Sequence, residues 1–206
     1  MDDKLKNILT RVYELYNKFG IKSITMDDVA RELGISKKTL YQHVEDKADL
    51  VERAMVQNTL KYQTNFEAIV AKNLNAIVEL LEVNAYMNEM MKEQDPSLQY
   101  DLRKYYPDIQ SRLMNDTRQR MYKSIRGNLL KGQKEGIYRE EMDIDIICKL
   151  HMARMEYKYS SSSFTLDELN STVVLREIFL YHLHGIANEK GVQVLNKELK
   201  QYINAE

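Results

Sequence analysis

Six polar side chains fall within a stretch of seven positions, and each of them can donate a hydrogen bond or carry a positive charge. They are Lys37, Lys38, Thr39, Tyr41, Gln42 and His43. No Asp or Glu occurs between Leu33 and Val44, although acidic residues outnumber basic ones, 31 to 30, in the whole chain. Donors and cations without a neighbouring acid are suited to binding acceptor groups such as phosphate oxygens. We therefore expect this segment to bind an anionic partner.

A short helix is predicted to position these side chains. Gly34 can close a preceding helix by adopting the left-handed backbone conformation, and Ser36 can cap a new helix by accepting its first free amides. Leu40 and Val44 are four residues apart and would share the buried face of the new helix. The polar side chains are then left for its other faces.

A second helix is predicted immediately before this one. Thr25 and Asp28 have the spacing of a capping box, in which each side chain bonds the backbone amide of the other residue. The inward side of that helix would carry Met26, Val29, Ala30 and Leu33. Two helices joined by a turn of three or four residues form a helix-turn-helix, whose second helix enters the major groove of DNA.

From Ile24 to Leu50 the sequence resembles the DNA-binding domain of the TetR family of bacterial transcriptional regulators. The residues that carry the resemblance are Thr25, Val29-Ala30, Leu33-Gly34-Ile35-Ser36, Thr39-Leu40-Tyr41, Val44, Asp46-Lys47 and Leu50. The resemblance implies that Tyr41 and Lys47 bind phosphates and that Thr25 and Ser36 help to hold the DNA backbone. It also implies that the major groove is faced by Lys37, Lys38, Thr39, Gln42 and His43. Asp27 departs from the family pattern, in which some members carry a basic or neutral residue at that position.

Two other classes of function compete with this interpretation. One is a helical ligand-binding or protein-interaction module without DNA binding, in which the helix-turn-helix has become a protein contact. The other is an enzyme, but His182 and His184 would point to different sides of a helix, and Cys148 is the single cysteine. No phosphate-binding glycine loop occurs either. We therefore predict no catalytic residue, no metal site and no cofactor.

Composition predicts an all-α fold with two domains. The chain has 206 residues, 44% of them hydrophobic, with only 2 Pro and 7 Gly to interrupt helices. We expect a helix-turn-helix DNA-binding domain over 1–46, a connecting helix over 46–62, and an effector-binding and dimerisation domain over 63–206. Because the net charge is −1, nucleic-acid binding must come from a local patch and weaken with salt. A single cysteine and the lack of a membrane-length apolar run or signal peptide lead us to expect a cytoplasmic protein with no membrane partner.

The hydrophobic spacing places the remaining helices. A first amphipathic helix is predicted from Leu5 to Phe19 with Gly20 at its end, and Asp46 with Asp49 should cap a fourth. Further helices are predicted over 65–93, 98–105, 109–135, 144–159 and 166–185, followed by a short one over 192–202. The four serines at 160–163 are interpreted as a linker, after which Thr165 and Glu168 form another capping box.

The last two long helices are predicted to form a homodimer. One carries the stripe Ile144, Ile147, Leu150, His151, Arg154 and Met155, and the other carries Val174, Ile178, Tyr181 or His182, and Gly185. In the TetR family, which the sequence resembles, these helices form a four-helix bundle with those of a second subunit. The two-fold axis would place two recognition helices about one DNA turn apart.

The 14 Tyr and 11 Met suggest an adaptable apolar pocket for an unknown small-molecule effector. The candidate lining residues are Tyr86, Met87, Met91, Tyr122, His151 and Met155, although single tyrosines and methionines of this kind more often belong to an ordinary core. His151 would need a partner if buried, which could be Glu156, a dimer mate or an anionic effector. The resulting hypothesis is a homodimeric repressor that releases a double-stranded, palindromic DNA operator when the effector binds.

Overall fold

The chain folds as a succession of α-helices, as predicted. The computed structural model describes residues 3–93, 95–157, 165, 168 and 171–203, and this part contains no strand beyond an isolated β-bridge between Tyr138 and Ala187. The helices are α1 (Asp3–Phe19), α2 (Met26–Leu33), α3 (Lys37–Leu40), α4 (Lys47–Ala71), α5 (Ala76–Lys92), α6 (Pro96–Tyr105), α7 (Pro107–Lys134), α8 (Ile144–Tyr157), α9 (Thr172–Ile186) and α10 (Glu189–Ile203).

Two compact units make up the chain. The first combines Met1–Ala71 with Ala85–Asp116, and the second combines Lys72–Asn84 with Thr117–Glu206. The predicted division at residue 63 does not coincide with any of the three boundaries between these segments, because α4 continues past it and α6 packs against α1. The first unit therefore contains the helix-turn-helix together with α6 and the beginning of α7.

The core of the first unit is built where α1 lies against α4, α2 and α6. Tyr16 of α1 and Leu50 of α4 are fully buried there, as are Leu40 of α3 and Leu98 of α6. Burying a leucine side chain contributes about 1.5 to 3 kcal/mol. The same core thus fixes the position of the helix-turn-helix and of α6.

The second unit has its own core, with buried residues from α5, α7, α8, α9 and α10. They include Ile77, Leu129, Cys148, Leu183 and Leu195. Burial raises the pKa of the Cys148 thiol.

A buried polar network joins α5 to α7 inside this unit. Glu79 is 6% exposed and accepts hydrogen bonds from Lys131 Nζ at 2.6 Å and Asn128 Nδ2 at 2.8 Å. The Tyr138 hydroxyl donates to Asn128 Oδ1 at 3.1 Å. Because each of these buried groups has a partner, the network stabilises the unit without leaving an uncompensated charge.

The single helix predicted over 65–93 is wrong. The structure has a break at 72–75 between α4 and α5. Asn73 adopts a left-handed conformation with φ 52°, and Asn75 Oδ1 accepts the amides of Ile77 at 3.1 Å and Val78 at 3.0 Å. Asparagine tolerates the left-handed region and caps helices well, so the two asparagines end one helix and start the next.

The helix predicted over 166–185 is interrupted at Ser171, which is extended, so that α9 begins only at Thr172. The remaining predicted helices agree with the structure to within a few residues. Gly20 has φ 77° just after α1, as expected for a glycine that ends a helix. The capping box of Thr165 and Glu168 is present, with the Thr165 amide 2.8 Å from Glu168 Oε2. The serine linker at 160–163 lies outside the described residues.

Candidate nucleic-acid interface

The capping box of Thr25 and Asp28 fixes the start of α2, as predicted. Thr25 Oγ1 accepts the Asp28 amide at 3.2 Å, and Asp28 Oδ2 accepts the Thr25 amide at 3.0 Å. The hydrogen bonds from Thr25, with a smaller contribution from Arg31, lower the pKa of the Asp28 carboxyl. The Thr25 hydroxyl also donates to Asp28 at 2.6 Å. Thr25 is exposed, and its first role is to cap the helix.

The turn between α2 and α3 follows the predicted geometry. Gly34 has φ 68°, and the Ile35 amide donates to Ala30 O at 3.0 Å, which satisfies a carbonyl at the end of α2. Ser36 Oγ then accepts the Thr39 amide at 3.0 Å. Glycine is favoured at the turn because most other residues pay a steric penalty at positive φ.

The recognition segment, residues 37–44, presents its polar side chains to solvent. Leu40 is 0% exposed and Val44 is 3% exposed, so these two side chains anchor the segment. Lys37, Lys38, Tyr41 and Gln42 are exposed, and Thr39 and His43 are partly buried. The predicted division into a buried and a polar face is thus confirmed, while contact of these side chains with DNA stays a prediction.

The regular α-helix α3 ends at Leu40, halfway through the recognition segment. The Gln42 amide bonds Thr39 O at 3.2 Å and the His43 amide bonds Leu40 O at 3.0 Å. These bonds span three residues rather than four, so the segment tightens after α3.

Asp27 holds one of the lysines of this surface. Lys37 Nζ lies 2.9 Å from Asp27 Oδ2, and this hydrogen bond raises the pKa of Lys37. Both side chains are exposed, so water weakens the ion pair. The acid that departs from the family pattern therefore acts on α3, where it partly neutralises a cation of the recognition segment.

Lys47 has a structural role that the sequence did not indicate. Its Nζ donates to Ile21 O at 2.7 Å and to Ile24 O at 2.5 Å. Burial lowers the pKa of Lys47, against the opposing effect of the carboxylates of Asp101 and Asp28. The ammonium thus ties the start of α4 to the turn that precedes α2, and a phosphate contact could use only its remaining donor.

Arg11 has a similar role that was not predicted. Its Nη2 donates to Glu32 O at 2.6 Å and so joins α1 to α2, although the two residues are 21 positions apart. Helical periodicity relates residues three or four positions apart, so it gives no signal for such a contact. For the ion pair of Asp27 and Lys37 the opposite charges are a sequence signal, but the conformation of the turn between the two residues decides whether they meet.

The geometry of this domain agrees with comparisons to known proteins. The profile of the family described as "Bacterial regulatory proteins, tetR family" matches residues 8–54. The N-terminal domain is therefore similar to the DNA-binding domain of the TetR family. The HTH-type transcriptional regulator SAB2452 of Staphylococcus aureus (strain bovine RF122 / ET3-1) is 35% identical over 57 residues, which is 28% of this chain and 31% of that regulator. The match therefore spans about a third of the curated relative and is limited to one domain.

Solved structures extend the likeness in fold to most of the chain. A transcriptional regulator from Cytophaga hutchinsonii ATCC 33406 has a TM-score of 0.72 at 15% identity, covering 91% of this chain and 100% of that one. A putative transcriptional regulator from Saccharomonospora viridis in complex with choline has a TM-score of 0.66 at 19% identity, with 91% and 100% coverage. At such low identity the likeness establishes a shared fold.

The six residues expected to line an effector pocket fall in both units. In the first unit Tyr86 accepts a hydrogen bond from Asn65 Nδ2 at 2.8 Å and packs edge-on against Phe66, with ring centroids 5.1 Å apart. Met87 and Met91 are partly buried on the same helix, α5. These contacts are those of a packed aromatic cluster.

In the second unit Tyr122 and Met152 line an open groove of about 430 Å³ together with Arg118, Gln119 and Lys123. Tyr122 donates to Asp145 Oδ1 at 2.8 Å, and this bond raises the pKa of the tyrosine. The side chain of Met155 lies outside the described residues.

His151 is buried within the second unit and has a partner on α9. It is 6% exposed, and its Nδ1 lies 2.8 Å from Nε2 of His182. None of the three partners considered from the sequence is His182, so the structure adds one that was not foreseen.

The predicted dimer stripes need a correction in register. Ile144 and Ile147 pack against the core of the second unit, and His151 is buried. The exposed apolar side chains of α8 are Ile146 at 54% and Leu150 at 59%, so Leu150 is the part of the predicted stripe that faces solvent. On α9 the large exposed apolar side chains are Val173 at 60% and Tyr181 at 85%, whereas Val174, Ile178 and His182 are partly buried and Gly185 is exposed. The side chain of Arg154 lies outside the described residues.

Two further features bear on partners. Among the side chains that the structure describes, no three His, Cys, Asp or Glu come together in a group that could hold a metal ion. In the described part of the chain, no helix has both the length and the apolar character needed to span a bilayer.

Proposed function

We propose that this chain is a transcriptional regulator of the TetR family that binds a palindromic DNA operator as a homodimer and releases it when a small molecule binds. The observation that carries the proposal is the recognition segment. Its Leu40 and Val44 are buried, and Lys37, Lys38, Tyr41 and Gln42 are exposed on a short, capped helix and the turn that follows it. A rigid helix that presents cations and an amide can bind phosphates and read base edges in the major groove.

The exposed apolar side chains of α8 and α9 support dimerisation. Ile146, Leu150, Val173 and Tyr181 are each more than half exposed. Large exposed apolar side chains gathered on neighbouring helices are typical of a protein interface. A two-fold dimer would present two recognition segments to two half-sites, which a regulator needs because one short helix contacts too few base pairs to select a site in a genome.

Release by a small molecule is supported by the groove beside Tyr122 and Met152 and by the fold. The structurally similar regulator from Saccharomonospora viridis was solved in complex with choline. A ligand that binds one conformation of the dimer better than the other shifts the spacing of the recognition segments, and a coupling of about 1 to 3 kcal/mol changes DNA affinity at least five-fold.

The experiment that tests DNA binding is selection of duplexes from a random-sequence pool by the full-length protein, followed by binding curves for variants. Gln42→Ala should change which bases are selected, because glutamine bonds the edge of adenine. Gln193→Ala removes the same kind of side chain from an exposed position of α10 and serves as the matched control. If the wild-type protein enriches no sequence, the proposal is refuted. If wild type and Gln42→Ala select the same sequences, only the proposed base-reading role of Gln42 is refuted.

Dimerisation has a separate test by light scattering. Leu150→Asp should convert the dimer to a monomer, because a carboxylate in an apolar interface is costly to desolvate. Val70→Asp makes the same kind of change at an exposed apolar position of α4, 46% exposed, and should leave the mass unchanged. A monomeric wild-type protein would refute the dimer.

A further inference from the structure

A second group of cations lies in the same unit as the recognition segment. The cations are Lys22 and Lys104, and they contact the exposed tyrosines Tyr100 and Tyr105. We call these four residues the lysine-tyrosine patch. Lys22 belongs to the turn between α1 and α2, and the other three residues belong to α6. Neither the family profile, which ends at residue 54, nor the helix-turn-helix accounts for the α6 residues of this patch.

Both ammonium groups of the patch are held by tyrosines. Lys22 Nζ lies 5.1 Å and Lys104 Nζ 5.4 Å from the centroid of the same Tyr105 ring. Lys104 Nζ also donates to the Tyr100 hydroxyl at 2.7 Å. The hydrogen bond to Tyr105 raises the pKa of Lys22 and lowers the pKa of Tyr105, and the bond to Tyr100 raises the pKa of Lys104. Two like charges are therefore gathered on one exposed surface.

The positive charge of the patch is not cancelled in the way that Asp27 cancels that of Lys37. An aromatic ring attracts a cation through its quadrupole but carries no net charge. The carboxylate that acts on Lys22 is Asp101, which is 8% exposed and accepts the Lys22 backbone amide at 2.8 Å. One buried carboxylate against two exposed ammonium groups leaves a net positive surface.

The patch is continuous with the proposed DNA interface through the turn at 20–24. Lys22 is three residues before Thr25, the cap of α2. The carbonyls on either side of Lys22, those of Ile21 and Ile24, are the two that Lys47 binds. The turn is thus fixed on one side by Lys47 and on the other by Asp101, so Lys22 is held in place relative to the helix-turn-helix.

We propose that the lysine-tyrosine patch binds phosphates of the operator duplex outside the base pairs that the recognition segment reads. This inference rests on the proposed function. Duplex DNA carries one negative charge for about every 1.7 Å of its axis, so it continues as a polyanion beyond the half-site. Lysines contact phosphates without reading sequence, and the patch would therefore add affinity and lengthen the footprint without changing base preference.

The test uses the full-length double variant Lys22→Gln, Lys104→Gln and the duplex that the wild-type protein selects. Affinity is measured by fluorescence anisotropy between about 50 and 200 mM KCl, on a core duplex that holds only the base pairs fixed by the selection and on the same core extended by about ten base pairs at each end. The matched control is Lys134→Gln, Lys197→Gln, which removes the same charge from exposed positions of the second unit.

The double variant should lower the slope of log affinity against log salt by about 0.9 for each phosphate that the protein no longer neutralises. Wild type should bind the extended duplex more tightly than the core, and the double variant should lose this difference while selecting the same bases. Lys104→Gln alone gives a second measurement of the slope if the double variant melts at a lower temperature than wild type.

The failures of the two proposals can be distinguished. A slope and a length dependence equal to those of the control, with Gln42→Ala still changing base preference, would overturn the patch and leave the proposed function standing. A wild-type protein that selects no duplex would overturn both.

Discussion

Lys47 offers the sharpest separation between a structural role and a DNA-binding role. The resemblance to the TetR family predicts that Lys47→Ala weakens binding to all DNA and reduces its salt dependence. In the structure the ammonium is already bound to the carbonyls of Ile21 and Ile24, at 2.7 and 2.5 Å. We therefore expect the substitution to act first on the stability of the first unit.

The size of the effect follows from those two bonds. A hydrogen bond that involves a charged group stabilises a protein by about 1.5 to 3 kcal/mol. Part of the combined gain is offset by the desolvation of the ammonium, which also lowers its pKa. A net loss of about 2 to 4 kcal/mol is then expected, or on the order of 10 °C in the Tm of a unit of this size.

The assay is thermal and urea unfolding of wild type, Lys47→Ala and Lys47→Met, followed by DNA binding at a temperature where all are folded. Lys47→Met keeps most of the aliphatic stem and loses the donors, so it should destabilise nearly as much as the alanine variant. Lys38→Ala, at an exposed position of α3, should leave the Tm unchanged. If Lys47→Ala unfolds like wild type but its salt slope falls by about 0.9 per subunit, the ammonium binds phosphate and the structural argument is refuted.

Three further predictions concern other contacts. Asp27→Asn should raise DNA affinity by about 1.5- to 5-fold per subunit, since it frees Lys37 from an exposed ion pair; anisotropy titrations would measure this. Gly132→Ala should lower the free energy of unfolding of the second unit by about 1 to 3 kcal/mol, because the added Cβ would lie 2.0 Å from the ring of Tyr138. Urea denaturation would measure this loss. Acid should weaken the first unit through Asp28, whose folded pKa is lowered. That stability is present above the unfolded value of about 3.9 and is lost as the pH falls through the folded pKa, so Asp28→Asn should reduce the decrease in urea midpoint below about pH 4.

Controls for these predictions are available in the chain. Asp108→Asn removes an exposed acid from α7 and should not raise affinity as Asp27→Asn does. Gly127→Ala lies in the same helix as Gly132, and its Cβ would meet nothing within 4 Å. It should therefore stabilise the protein by about 0.5 to 1 kcal/mol. Equal effects of the two glycine variants would contradict the proposed close approach.

The sequence by itself determined the local features of the DNA-binding domain. The capping box at Thr25, the left-handed Gly34 and the cap at Ser36 depend on residues at most a few positions apart, so their residue types specify them. The burial of Leu40 and Val44 follows from helical periodicity. These features were predicted and are present.

The tertiary structure alone decided which distant groups meet. Lys47 reaches the carbonyls of a turn 23 and 26 residues earlier, and Lys22 shares the Tyr105 ring with Lys104. Such contacts depend on how helices cross, which periodicity does not record. The packing of helices also decides which apolar side chains of α8 are exposed. Ile144 and Ile147 pack against the core, and Ile146 and Leu150 face solvent. A sequence pattern identifies an apolar helix, but only the packing of the helix determines which of its apolar residues are left for a partner.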